Sequence, residues 1–331
     1  MSKIEPVIAV FMGGGRARHA ASLMTGQELI KAIGSLQYTA IPITIDAAGK
    51  WQVGADAPAT AIDGLGALQR LGVDGAINAL HGPYGSDGRL AGLLDLIGVP
   101  YWGSGCAASA LAMDKVRCKA VVAAQGIRVA GHLALDAATW AMDAVTVERA
   151  VRQDIGFPCA IKPASQGLTQ GIALPQSAEE FAPALERMLF VESYVMVEKF
   201  VRGTEVCCGV LDTDPKGHIR SLPIVEIRAG KRPGEVECIT PAPLAPDLTD
   251  RIMDMAAHAH EIVGCKGWSQ SDFIIDEQGP VWLKLETVPG LTETSSYTRA
   301  AAAIGIPHVE LVRMFIEYML QGRDNQTGIK A

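Results

Sequence analysis

Apolar positions in the first third of the chain fall in short dense runs separated by amphipathic stretches. Pro6–Met12 (PVIAVFM) is a continuous apolar run of strand length, followed by Gly13-Gly14-Gly15 and a helical pattern from His19 to Ile33. A second run, Tyr38–Ile45, leads into a polar hairpin region around Gly49. A third, Asp74–Leu80, ends at the loop HGPYGSDG. Short apolar runs alternating with helices predict a parallel sheet covered on both faces. Ligands of such sheets collect beyond the carboxyl ends of the strands, where Gly13–Gly15 and His81–Gly88 both fall.

The pattern then changes. After a helix over Lys115–Gln125, short strands are expected at Cys159–Lys162, Ile172–Leu174, Tyr194–Glu198 and Glu205–Asp212, with one intervening helix. The last third predicts strands at Ile219–Ile227, Ser271–Ile275 and Val281–Glu286, and helices at Asp250–Val263 and Pro307–Leu320. This is a mixed region with hairpin-like connections. We divide the chain into 1–112, 113–201 and 202–331.

The 331 residues suffice for two or three domains, and an apolar content of 49% rules out a disordered chain. Against 29 Lys plus Arg stand 36 Asp plus Glu, a net charge of −7, so a polyanion-binding surface and a nucleic-acid partner are not expected. Glu5 interrupts the start and no small-residue cleavage site follows, which makes a poor signal peptide. The longest uncharged run, Leu96–Met113, is broken by Gly98, Pro100, Gly103 and Gly105, so no membrane span is expected and the cytoplasm is the expected home. The seven cysteines contain no CxxC pair; buried free thiols are expected, not zinc or disulfides.

Few motifs carry chemistry by themselves. There is no Walker A pattern, and Gly13–Gly15 reads as a strand-to-helix turn or a ligand cradle. His258 and His260 lie two apart on a helix, on different faces, and are expected at the surface or partly buried. The segment IKPASQGLTQGI joins Lys162 at a strand end to a loop in which Gly167 and Gly171 let backbone N–H groups approach oxygens. It suits a phosphate cover or is an ordinary loop. Glu198-Lys199-Phe200-Val201 follows an apolar strand and suits an adenine edge. Asp272, Lys284 and Glu286 come together on neighbouring strands, with 284 and 286 on one face. Two such carboxylates facing a phosphate loop suit Mg²⁺; a surface ion pair is the alternative.

In order along the chain, FMGGG…SL, LHGPYGSDGRLAGLLDLIGVPYWGSG, ALAMDKVRCK, IKPASQGLTQGI, VMVEKFVRGTEV, TPAPL, SDF and ETVPGLTETS resemble the D-alanine–D-alanine ligase family of the ATP-grasp superfamily. The resemblance implies an α/β protein in which a parallel-sheet domain precedes an ATP-grasp fold. It implies a cytoplasmic homodimer that uses ATP and Mg²⁺ to join a small carboxylate and an amine through an acyl phosphate, in the service of peptidoglycan synthesis. Position by position, it implies that Lys115 and Lys162 hold phosphates, that Glu198, Lys199 and Val201 clamp adenine with Gly167 in the covering loop, and that Glu205 meets ribose. His81, Gly82, Asp87 and Gly88 keep the first-substrate loop, while Gly290 and Ser295 surround the second substrate. Asp272 and Glu286 are the expected metal ligands, and Thr169 stands where the phosphate loop has a serine.

The departures gather at the chemistry. Arg18 replaces a glutamate that pairs with the first substrate's ammonium, and Ser86 replaces an acid. Gln166 and Leu168-Thr169 replace a glutamate and paired serines, and Gln270 replaces an arginine. Lys284 stands where the family has a metal-binding glutamate, and Glu286 where it has an asparagine. One unit charge at about 4 Å is worth ~4 kcal/mol at an effective dielectric of ~20, so reversing the sign at position 18 reshapes the site. The main reading is a working ligase with a first substrate other than D-alanine; the alternatives are a non-catalytic ATP-binding paralogue with a regulatory or partner-binding role, and an authentic D-alanine ligase. The segment Arg228–Glu237 is expected to form a mobile lid.

Overall fold

The computed structural model describes residues 5–15, 18–164, 171–214, 218–230 and 236–326. Its first sheet contains β1 (Val7–Gly13), β2 (Thr39–Ile45), β3 (Trp51–Val53), β4 (Gly75–Asn78) and β5 (Tyr101–Trp102), in the order β3-β2-β1-β4-β5. All pairings are parallel except the edge strand β3. Central β1 is buried along almost its whole length, as its unbroken apolar run requires. The helices α1 (His19–Ser35), α2 (Ala61–Leu71) and α3 (Arg89–Ile97) connect the strands. A capping box between Thr60 and Asp63 starts α2, and Gly72 in the left-handed conformation ends it.

Next come α4 (Cys106–Met113) and α5 (Lys115–Ala124), the latter begun by Asp114, whose carboxylate accepts from the Arg117 N–H. A second, antiparallel sheet of order β6-β8-β7 is built from β6 (His132–Asp136), β7 (Cys159–Pro163) and β8 (Tyr194–Lys199). Three helices, α6 (Ala137–Met142), α7 (Ala144–Ala150) and α8 (Ala178–Val191), and a single π-helical turn at Val151–Ile155 accompany it. The strand expected at Ile172–Leu174 is reduced to one bridge, Ile161 with Ala173.

The third sheet has six antiparallel strands. Its main path is β12 (Val236–Ile239), β11 (Val225–Ala229), β9 (Thr204–Asp212), β13 (Trp268–Asp276) and β14 (Gly279–Glu286), with β10 (Ile219–Ser221) also on β9. The single strand expected over Ile219–Ile227 is two, because Pro223 has no N–H to offer a ladder. The expected lid falls between β11 and β12, and its residues 231–235 lie outside the described ones. Helix α9 (Pro246–Val263) carries Pro at its first turn and ends on Gly264. His260 is a core residue, contrary to expectation: it is buried, with Nδ1 2.8 Å from Ser269 Oγ. Of the seven cysteines five are buried, Cys238 is half-buried and Cys106 is exposed.

Helices α10 (Ser296–Ala303) and α11 (His308–Gln326) are the last of the described elements. Helix α11 returns to the first sheet and packs on α1, β4 and β5, where Phe315 stacks with Trp102 at 5.5 Å and meets Trp268 edge-on at 4.5 Å. One core cluster therefore unites Ile8 and Ile77 with Leu311 and Phe315.

Candidate functional site

Lys115 sits at the first turn of α5, its N–H bonded to Ala164 O at 2.9 Å and its Nζ 3.1 Å from Pro163 O. These contacts tie it to the end of β7, which carries Lys162. Burial lowers the Lys115 pKa to about 8, with Lys284 and Lys162 adding repulsion. On the adjacent strand β8, Glu198 is buried and gripped from two sides. Lys162 Nζ lies 2.6 Å from its Oε2 and Lys119 Nζ 2.7 Å from its Oε1. Burial would raise the Glu198 pKa, but the two ammonium groups outweigh it and hold it low.

Lys119 is the residue that sequence reasoning missed. It is fully buried and also donates to Trp282 O at 3.3 Å, so it ties α5 to β8 and β14. Its signal was present: it follows Lys115 by four residues, hence on the same face of the helix. Lys199 and Glu205 are exposed and Val201 is half-buried, all around the turn from β8 to β9. Gly167 and Thr169, with Gln166 and Leu168, lie outside the described residues.

A second charged cluster stands on β13 and β14, where the register sets Asp272 opposite Lys284 and Gln270 opposite Glu286. Lys284 turns inward. Its Nζ lies 3.1 Å from Asp272 Oδ2 and forms an ion pair with Glu286 Oε1. Gln270 Nε2 donates to Asp272 Oδ1 at 3.3 Å, and its Oε1 accepts from Ser296 Oγ at 3.0 Å. Burial would lower the Lys284 pKa, but its two carboxylates carry it above the ordinary lysine range.

This arrangement bears on the expected Mg²⁺. Both oxygens of Asp272 are engaged, and an ammonium stands between it and Glu286. Mg²⁺ demands a near-octahedral set of oxygens. Among the described residues no three His, Cys, Asp or Glu side chains gather to supply one. Asp272 and Glu286 as they stand do not fit a divalent ion between them, because each is ion-paired with the inward-turned Lys284.

Beside this cluster lies a cavity of about 360 Å³ between the first sheet's loops and β14. Arg18, His81, Ser86, Lys115, Lys284, Glu286, Gly290 and Ser295 are among its lining residues. His81 is fixed by α1: its N–H donates to Ser22 Oγ at 3.0 Å and its Nε2 lies 3.1 Å from Thr25 Oγ1. Burial lowers the His81 pKa, against the opposing pull of Glu286. Ser86 Oγ accepts from the Gly82 N–H at 3.1 Å, and Asp87 accepts from the N–H groups of Tyr84 and Arg89, shaping the loop without entering the cavity lining. Gly88 is required: a Cβ there would lie 2.4 Å from Cys106 O, at φ +86°. At the far wall, Ser295 Oγ lies 2.7 Å from Thr292 Oγ1 and would be 2.8 Å from a Cβ on Gly290.

The cavity thus offers cations (Arg18, Lys115, Lys284), one acid (Glu286) and hydroxyls, next to the lysine-bounded Glu198. That combination suits a small molecule with both a carboxylate and an ammonium beside a phosphate-bearing one. Comparison with known proteins agrees. The family described as D-ala D-ala ligase C-terminus matches residues 121–317. The D-alanine–D-alanine ligase of Syntrophotalea carbinolica is 35% identical over 93% of this chain and 94% of its own length. That of Geobacter sulfurreducens is 36% identical over 87% and 85%. Among solved structures, the Bacillus anthracis D-alanine–D-alanine ligase in complex with ATP aligns with a TM-score of 0.78 at 27% identity, over 97% of this chain and 99% of that one. Matched over nearly its whole length, the chain belongs to the D-alanine–D-alanine ligase family of ATP-dependent, ATP-grasp ligases.

Proposed function

We propose that the protein joins two D-alanine molecules at the expense of ATP. The observation that carries this reading is likeness along almost the whole chain to curated relatives that bear that name. They weigh toward authentic D-alanine ligation over an altered first substrate or a non-catalytic role. Glu286 bears on one objection to this reading. Arg18 has replaced the acid expected for the first ammonium, but Glu286 lines the same cavity and supplies a carboxylate there.

In this reading Lys115 and Lys162 hold the ATP phosphates, Glu198, Lys199 and Val201 meet the adenine, and Glu205 meets the ribose. Arg18 steadies the carboxylate of the first D-alanine while one of its oxygens attacks the terminal phosphorus of ATP; the new O–P bond forms, the bond to the ADP oxygen breaks, and an acyl phosphate and ADP result. The second amine, near Gly290 and Ser295, attacks that acyl carbon; the C–N bond forms, phosphate leaves, and the amine's proton is released. Gln270 gives the tetrahedral oxygen a neutral donor at most, and one such donor is worth ~10²–10³ in rate elsewhere. The strand carboxylates, both held by Lys284, do not fit a divalent ion. The expectations of a homodimer and of a cytoplasmic place in peptidoglycan synthesis rest on the family likeness. No helix among the described residues is long and apolar enough to cross a membrane.

The test is the purified protein with ATP and D-alanine. Phosphate release that depends on D-alanine, with the dipeptide found by mass spectrometry, is the expected result. ATP turnover with another carboxylic acid but not with D-alanine would favour the second reading, a different first substrate, which the cationic Arg18 in the cavity wall supports. ATP binding without turnover on any amino, hydroxy or keto acid would leave the non-catalytic role.

A further inference from the structure

Two carboxylates stand on neighbouring strands, and one of them, Glu286, lines the cavity, an arrangement that could gather a divalent cation. Here the register prevents it. Asp272 and Lys284 are direct partners across the β13–β14 ladder, and Glu286 lies two residues on, on the same face. The Lys284 ammonium reaches both carboxylates at once. It is held where an inserted ion would have to break two ion pairs, and the remaining oxygen of Asp272 is engaged by Gln270. The charge of the cluster is −1, from two carboxylates and one ammonium, against −2 without the lysine. A divalent ion entering would meet a positive charge at the centre of its own ligand set.

We propose that Lys284 is a built-in monovalent cation that takes the place of a protein-bound divalent ion, so that this site meets the nucleotide with ammonium groups, and the only divalent ion present is the one the nucleotide carries. The cavity shows both Lys284 and Lys115 on its walls, so the tethered charge faces the same space as a phosphate-binding lysine. A tethered ammonium is present at any ambient concentration of divalent ions, which a bound ion is not. The nucleotide part of this inference rests on the ATP-dependent reading above; the part that concerns the free protein does not.

Mn²⁺ binding followed by electron paramagnetic resonance tests both. Without nucleotide, the wild-type protein is expected to bind Mn²⁺ no more tightly than Asp272→Asn. Lys284→Met is expected to gain roughly tenfold or more in affinity, and Lys284→Arg to behave as the wild type. With saturating ADP, the wild type should hold one Mn²⁺ per nucleotide and Lys284→Met two. Wild-type Mn²⁺ affinity roughly tenfold above that of Asp272→Asn would overturn the proposal. So would two Mn²⁺ per nucleotide in the wild type, a count that needs no variant to fold. Absence of ADP binding together with the expected Mn²⁺ gain would overturn the ATP reading and uphold the role of Lys284.

Discussion

Glu198 and Lys284 are opposite versions of one device. The first is a carboxylate flanked by two ammonium groups, the second an ammonium flanked by two carboxylates. They differ in depth. The side chains of Lys119 and Glu198 are 0% and 2% exposed, whereas those of Lys284 and Glu286 are 25% and 38% exposed. A charge without water must be matched by a partner, so the deep cluster is part of what holds the fold: Lys119 stays on Glu198, and Lys162, with 19% of its side chain exposed, is the partner that reaches solvent. The shallow cluster keeps water as a second solvent for its charges, and its sign can be changed at small cost to the fold. The deep cluster is therefore fixed by the fold, and the shallow one is the freer of the two to vary.

That contrast can be broken most directly at Glu198. Glu198→Gln leaves the buried Lys119 ammonium without its counter-charge and is expected to cost about 3–5 kcal/mol in urea unfolding. A loss below about 1 kcal/mol would mean that depth does not separate the clusters. The pH dependence of nucleotide affinity sharpens the same contrast. In the free protein Lys115 titrates at about 8, so its ammonium is present below that pH and affinity is flat there. Above it, binding a phosphate must take up a proton, and affinity should fall by up to about tenfold per pH unit. Calorimetry in buffers of different ionisation enthalpy reads that proton uptake directly; its absence above pH 8 would detach Lys115 from the phosphates. The smallest effect is expected for the stability of Lys284→Met, about 1 kcal/mol or less, because its partners remain partly hydrated. A loss as large as that of Glu198→Gln would make the two clusters energetically alike.

Much of this was legible in the sequence, and the failures have physical causes. The unbroken run in β1, the amphipathic α1 and the two-residue spacing of Lys284 and Glu286 each state a period that the structure obeys. The break at Pro223 was also readable but competes with apolar residues on both sides, which is why one strand was expected where two form. Strand β6 was missed because most of its residues are only half-buried and the alternation is weak. At the site, residue types were readable and signs could be summed, yet direction could not. Whether Lys284 faces Asp272 or water depends on the register with β13, a long-range fact. Lys119 was passed over because a lysine inside an ordinary helix reads as a solvated one until the strand that covers it is known.

The return of α11 to the first sheet has a consequence for synthesis. Gly75 on β4 leaves its side-chain space to Met319; a Cβ there would lie 2.3 Å from the Met319 Cε. The face formed early by Ile8, Ile77 and Trp102 is completed by Leu311, Phe315 and Met319. On the ribosome, the first sheet therefore emerges more than two hundred residues ahead of its last layer. Until that layer arrives the nascent chain carries an open apolar face, which delays completion of the first sheet's core until α11 has emerged.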